Sequence, residues 1–163
     1  MKIIKTVSLL FCFTMIYCSN ILAIEKNNAP WGHAKSLDLE YKPQKLLYDL
    51  TTGNPKELDN ILDRVSLLFK TYDSDVFDSS IVVIIHGDAI PFFTIDNYVK
   101  FQKRMQRANS LTIGSSIEFR MCSAAARVMK YDPTDIHGFV TMVPMADAEI
   151  VRLQNDEGYA YMR

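Results

Sequence analysis

Cys122 and His86 are the two side chains whose type and position offer the most chemistry. Cys122 follows an expected strand at 116–121 (SIEFRM) that ends in Arg120-Met121, and it precedes Ser123-Ala124-Ala125-Ala126, a helix start. N–H groups at a helix start lack partners and carry partial positive charge, so they favour an anion. A thiol there is placed to react as a thiolate nucleophile, steadied by the backbone around Ser123. The competing reading is a small buried hydrophobe in a strand-to-helix turn, a common place for a free cysteine. His86 ends the run SIVVII and offers an imidazole as base or hydrogen-bond partner, or else a polar plug closing a buried strand. Gly87 and Asp88 follow it; an Asp after Gly is usually a turn residue, although its carboxylate can accept hydrogen bonds. Thr51, Thr52, Gly53 and Asn54 could line a small anion site, but they do not form the glycine-rich pattern of a nucleotide loop. His33 and His137 belong to no metal-ligand motif, so neither a metal nor a cofactor is expected.

These residues need elements to position them. Residues 45–50 (KLLYDL) form a short apolar run suited to a buried strand. Asn54, Pro55 and Glu57 then read as an N-cap, a first helical position and a capping-box partner. Leu58, Ile61, Leu62, Val65, Leu68, Phe69 and Tyr72 follow at spacings that give one apolar helical stripe. The β-branched run at 80–86 (SIVVIIH) has the composition of a strand covered on both faces. A second helix is expected over 95–109, a third strand over 116–121, and a short helix over 123–130. A fourth strand at 139–143, a helix at 146–156, a Gly158 cap and a last strand at 159–162 complete the pattern. Such alternation predicts an α/β fold with a parallel five-stranded sheet and helices on both faces. In such sheets ligands gather at the carboxyl ends of the strands, where the 51–54, 86–88 and 122 segments all fall. Between them, Ala89-Ile90-Pro91-Phe92-Phe93 forms either an exposed apolar patch, suited to a subunit contact or a lid, or a loop folded back on the core.

The first 23 residues have the form of a secretory signal peptide: Lys2 and Lys5, an apolar core at 7–17, and a break at Ala23. The alternative, an uncleaved membrane anchor, needs about 20 apolar residues, and polar Ser8, Thr14, Ser19 and Asn20 interrupt this segment. The expected protein is therefore exported and periplasmic, touching the membrane only through that segment if it is retained. A polar arm at 24–44 leads into a domain at 45–163. Cleavage would remove Cys12 and Cys18, leaving Cys122 without an internal disulfide partner or a resolving thiol. The 163 residues, 48% apolar and 23% charged, suit one folded domain, and a net charge of −1 gives no surplus for gripping nucleic acid.

The segments LLYDLTTGNPKELDNILDRVSLLFK, IVVIIHGDAI, FRMC and AEIVRLQNDEGYAY together resemble the DsrE/DsrF-like family in its exported branch. The likeness spans roughly 45–163. It implies a three-layer α/β/α fold of flavodoxin/Rossmann type, assembly into homo- or hetero-oligomers, and sulfur carried as a cysteine persulfide between sulfurtransferases. Cys122 matches the persulfide position. Exported relatives often follow that cysteine with a small residue and an asparagine, whereas Ser123-Ala124-Ala125 stands here.

Two functions follow from these readings. In one, Cys122 accepts a sulfane sulfur from a donor protein and passes it to a partner thiol, with His86 supporting the anion. In the other, the chain is a non-catalytic envelope binding or assembly module with a buried structural cysteine, its sheet edge holding a small ligand or a second subunit. An oxidant-sensing thiol is a third use of the same residue. Exposure of Cys122 separates the first two.

Overall fold

A computed structural model describes residues 31–162. The signal segment, with Cys12 and Cys18, lies outside the described residues, as do residues 24–30 of the arm. Residues 31–38 have no helix or strand and are exposed; the compact unit begins at Leu39.

That unit runs β1 (Lys45–Leu50), α1 (Pro55–Thr71), β2 (Ser80–Ile85), α2 (Tyr98–Thr112), β3 (Ile117–Cys122), α3 (Ser123–Val128), β4 (Val140–Val143), α4 (Ala146–Glu157) and β5 (Ala160–Met162). All five strands are parallel, in the order β4-β3-β2-β1-β5. Strands two and three are therefore direct neighbours, and β1 sits between β2 and β5. The strands advance in one direction from β1 to β4 and then return to the far side of β1. The reversal of order, where such sheets open a crevice, falls between β1 and β5.

Alternation along each strand divides the core in two. Leu46, Tyr48, Leu50, Val83, Ile85 and Phe119 face α1 and α2, which bring Leu58, Leu62, Val65, Phe101 and Met105. Leu47, Val82, Ile84 and Cys122 face α4, which brings Ala146 and Leu153. The fold is a three-layer α/β/α sandwich, with α1 and α2 on one face and α4 on the other.

α1 begins as its sequence requires, with one difference. The Asn54 side chain accepts the Lys56 N–H at 3.1 Å, and Pro55 occupies the first turn. The expected reciprocal bond from Glu57 is replaced, because the Asn54 N–H donates to Thr52 Oγ1 at 3.1 Å. A residue ahead of the cap has taken the role assigned to one behind it. The 87–93 segment (Gly87–Phe93) is a run of 3-10 turns that folds back on the core. Ala89, Ile90 and Phe93 are fully buried, and Phe92 packs edge-on against Phe101 with centroids 4.9 Å apart. Of the two readings of 89–93, the loop folded back on the core is the one the structure has, and the exposed patch or lid is excluded: these side chains fill the space between the sheet edge and α2.

Candidate functional site

Two loops at the carboxyl edge are locked together by glycine. Gly87 has φ +57°, and a Cβ there would lie 3.2 Å from the Thr51 carbonyl oxygen. A Cβ on Gly53 would lie 3.2 Å from the Asp88 carbonyl oxygen. Either Cβ would push its neighbouring carbonyl by a few tenths of an ångström, and Gly87 also needs its left-handed φ, so glycine lets the 51–54 and 86–88 segments meet backbone to backbone. The His86 N–H donates to Leu50 O at 3.1 Å, carrying the β1–β2 ladder one residue further. Thr51, Gly53, Gly87 and Asp88 are brought together; Thr51 and Asp88 are exposed, and the Asp88 carboxylate sits in the first turn of the 3-10 segment.

His86 does not bond to Cys122. Its Nε2 lies 2.7 Å from Asp49 Oδ1, and the second carboxylate oxygen accepts the Tyr161 hydroxyl at 2.9 Å. The His86 and Asp49 side chains are 25% and 18% exposed, enough for a small molecule to reach them. Asp49, one residue from the end of β1, and Tyr161, on β5, were not marked by their residue types. The available signal was an acidic residue inside an apolar run, at the carboxyl end of a strand.

A cleft of about 260 Å³ opens at this point, lined by Asp49, Thr51, Thr52, Asn60, Arg64 and Tyr161 among others. It occupies the β1/β5 reversal, the position that topology favours for a ligand. The Arg64 guanidinium, which also lines this cleft, lies over the Tyr48 ring, 4.9 Å from its centroid.

Cys122 lies elsewhere on the edge. It is 4% exposed, in an apolar cluster with Leu47, Ile84, Ala146, Leu153 and Tyr159. It caps α3, its Sγ accepting the Ala125 N–H at 3.4 Å. Ser123 is partly buried, and the neighbouring Ala124 N–H donates to Pro144 O at 3.2 Å. Asp49, Ile84 and Arg120 pair in register; His86 and Cys122 each stand two residues beyond their strand's paired position. Asp49, His86 and Cys122 therefore share the α4 face of three adjacent strands. No hydrogen bond joins the imidazole to the thiol among the described residues.

The same face carries the densest charge network among the described residues. Arg120 donates to Glu118 at 2.8 Å and to Glu149 at 2.5 Å, and Arg152 binds Glu149 at 2.8 Å and also Glu157. The Arg152 hydrogen bonds, reinforced by those of Arg120, outweigh burial and hold the Glu149 carboxyl down to about 2. This network ties β3 to α4 beside the Cys122 cluster. Among the described residues, no group of three or more His, Cys, Asp or Glu side chains is arranged to hold a metal ion.

The fold has a structural counterpart. It is MTH1491 from Methanobacterium thermoautotrophicum, a protein of unknown function. The two superpose with a TM-score of 0.59 at 20% identity, over 74% of this chain and 98% of that one. At that identity the likeness supports the α/β architecture and carries no residue role across. No protein-family model matches the sequence, and no curated protein does.

Proposed function

We propose that the chain is a non-catalytic binding or assembly module of DsrE-like fold, acting in the envelope after export, in which Cys122 is structural. The observation that carries this reading is the 4% exposure of Cys122 among apolar neighbours. A sulfur carrier must present its thiol to two partner proteins in turn, whereas this sulfur is packed under α4 and spent on capping α3. The ligand-facing chemistry belongs to the cleft beside Asp49 and Tyr161, and a second copy of the chain is the first partner to seek.

One observation favours the alternative, persulfide transfer through Cys122. Asp49, His86 and Cys122 line up on one face of adjacent strands, an order suited to passing the thiol proton to the imidazole, with Asp49 steadying the imidazolium that forms beside the thiolate.

Intact mass after exposure to a polysulfide donor decides between them. The folded protein is expected to keep its mass and to react only when unfolded, with a Cys122→Ser control unreactive in both states. A gain of about 32 Da per sulfur on the folded protein, reversed by reductant and absent from the control, would establish the carrier instead. Light scattering of the same sample reads the oligomeric state.

A further inference from the structure

The two margins of the sheet are not alike. β4 and β5 are its outer strands, so each leaves a row of backbone N–H and C=O groups unpaired on one side. Native sheets guard such edges with charged side chains, proline or a covering element. β5 has a guard: the Lys45 ammonium lies over the Tyr159 ring, 5.7 Å from its centroid, just ahead of the strand. β4 shows no such guard among the described residues. Residues 139–143 (FVTMV) carry no charge and no proline, and β3 is the one element that packs extensively along β4. The single backbone bond recorded from 139–143 outside the β3–β4 ladder runs from the Val140 N–H to His137 O at 3.0 Å.

The core also reaches this margin unfinished. Val140 and Met142 pack against the core on the α1/α2 side but stay half-buried, and Thr141, on the α4 side, is exposed. The helical layer stops short here, leaving a cleft of about 260 Å³ open between α2 and Phe139. An uncharged edge with half-covered apolar side chains is the form of a strand that pairs with another chain.

We propose that β4 is an assembly edge, on which β4 of a second copy lies antiparallel about a two-fold axis through paired Thr141 residues, joining two five-stranded sheets into one. This names the surface for the second copy sought above and rests on that assembly reading. The edge selects its own copy by symmetry. A two-fold axis normal to the sheet reverses the strand and keeps each helical layer on its own side, so residues brought opposite must already share a face. Only registers centred on Thr141 or Met142 meet that rule and oppose three residues of each β4. The Met142 register sets Val140 against the partner's Pro144, which has no N–H to give. The Thr141 register avoids this and places Val140 opposite the partner's Met142, extending the α1/α2-side core across the join. Thr141 meets the partner's Thr141, a favourable cross-strand pair. Charge permits the join as well: Arg120, in register with Thr141 on β3, is already bonded to Glu118 and Glu149. A foreign strand would have to match this pattern independently, whereas every copy of the chain carries it.

The test uses the exported, processed protein. Sedimentation over about 1–500 µM should show a reversible dimer with a dissociation constant of about 1–100 µM, as suits a small interface. Thr141→Cys sets two thiols directly opposite, at a Cα separation of about 4.5–5.5 Å that a disulfide spans. Oxidised glutathione should therefore join the dimer covalently at the introduced thiols, while the parent, with Cys122 buried, stays unjoined. Thr141→Lys puts like charges face to face and should weaken dimerisation at least about tenfold. Ala160→Lys, also exposed but on the β5 margin, should leave it unchanged. If a dimer forms but survives Thr141→Lys, is broken by Ala160→Lys, or does not join at the introduced thiols, β4 is not the edge and the assembly reading stands without it. A protein still monomeric at about 500 µM overturns the β4 pairing and, with it, the second copy as partner.

Discussion

Asp49 and His86, on neighbouring strands, meet through a 2.7 Å bond between Oδ1 and Nε2, and Tyr161 holds the other carboxylate oxygen at 2.9 Å from a third strand. One carboxylate thus ties β2, β1 and β5 at the edge where the strand order reverses. Asp49→Asn removes the charge and keeps the shape. Because the pair is partly open to solvent, a loss of about 1–2 kcal/mol is expected in urea unfolding. A double-mutant cycle with His86→Gln should return a coupling energy clearly above zero. Strict additivity would mean that the contact contributes nothing in solution.

The glycine lock between the loops gives a second expectation. Gly87→Ala imposes both a left-handed backbone on alanine and a Cβ 3.2 Å from the Thr51 carbonyl. A destabilisation of about 1–3 kcal/mol is expected. Gly53→Ala meets an equally close oxygen without the left-handed φ and should lose less than about 1 kcal/mol. Equal losses would show that the loop contact, and not the backbone conformation, sets the requirement.

Much of this architecture was legible because the sequence repeats one device. Val82, Val83, Ile84 and Ile85 form an unbroken β-branched run that only a strand covered on both faces accommodates, and the stripe from Leu58 to Tyr72 fits only a helix lying on that sheet. The site was harder to read because its chemistry depends on which strands are neighbours. His86 was visible by type, but its partner could have come from either side, and the β4-β3-β2-β1-β5 order gives it Asp49. Asp49 and Tyr161 are 112 residues apart, and nothing local announces their bond. Phe92 and Phe93 left two readings open. Apolar loop residues look like an exposed patch until the space beneath α2 is known to need filling.

Cys122 as a helix cap makes its own prediction. Alanine there removes both the acceptor for the Ala125 N–H and the packing of sulfur against Leu47 and Leu153. Serine keeps an acceptor, and a better one, but brings a hydroxyl proton into an apolar cluster. Cys122→Ala should therefore lose about 1.5–3 kcal/mol and Cys122→Ser about 1 kcal/mol or less, read from chemical denaturation. The opposite order would show that packing, and not capping, is what the residue supplies.

The Glu149 network should make stability fall in acid over a defined window. Its carboxyl ionises at about 2 in the folded protein, against an ordinary value of 4.5. The folded state thus holds the charged form more tightly than the unfolded chain does, so the unfolded state takes up protons first as pH drops. The contribution is complete above about pH 4.5 and disappears as the pH falls toward 2. Glu149 is only 11% exposed, but Arg152 is largely in solvent, so screening reduces the contribution to ~1–2 kcal/mol. Glu149→Gln should be less stable than the parent at pH 7 by that amount, and the gap should close by about pH 2. Added salt should narrow the gap at pH 7, since ions reach the Arg152 side of the network. A gap that persists unchanged from pH 7 to pH 2 would mean that glutamine disturbs packing between β3 and α4, and that the ionised bonds are energetically neutral.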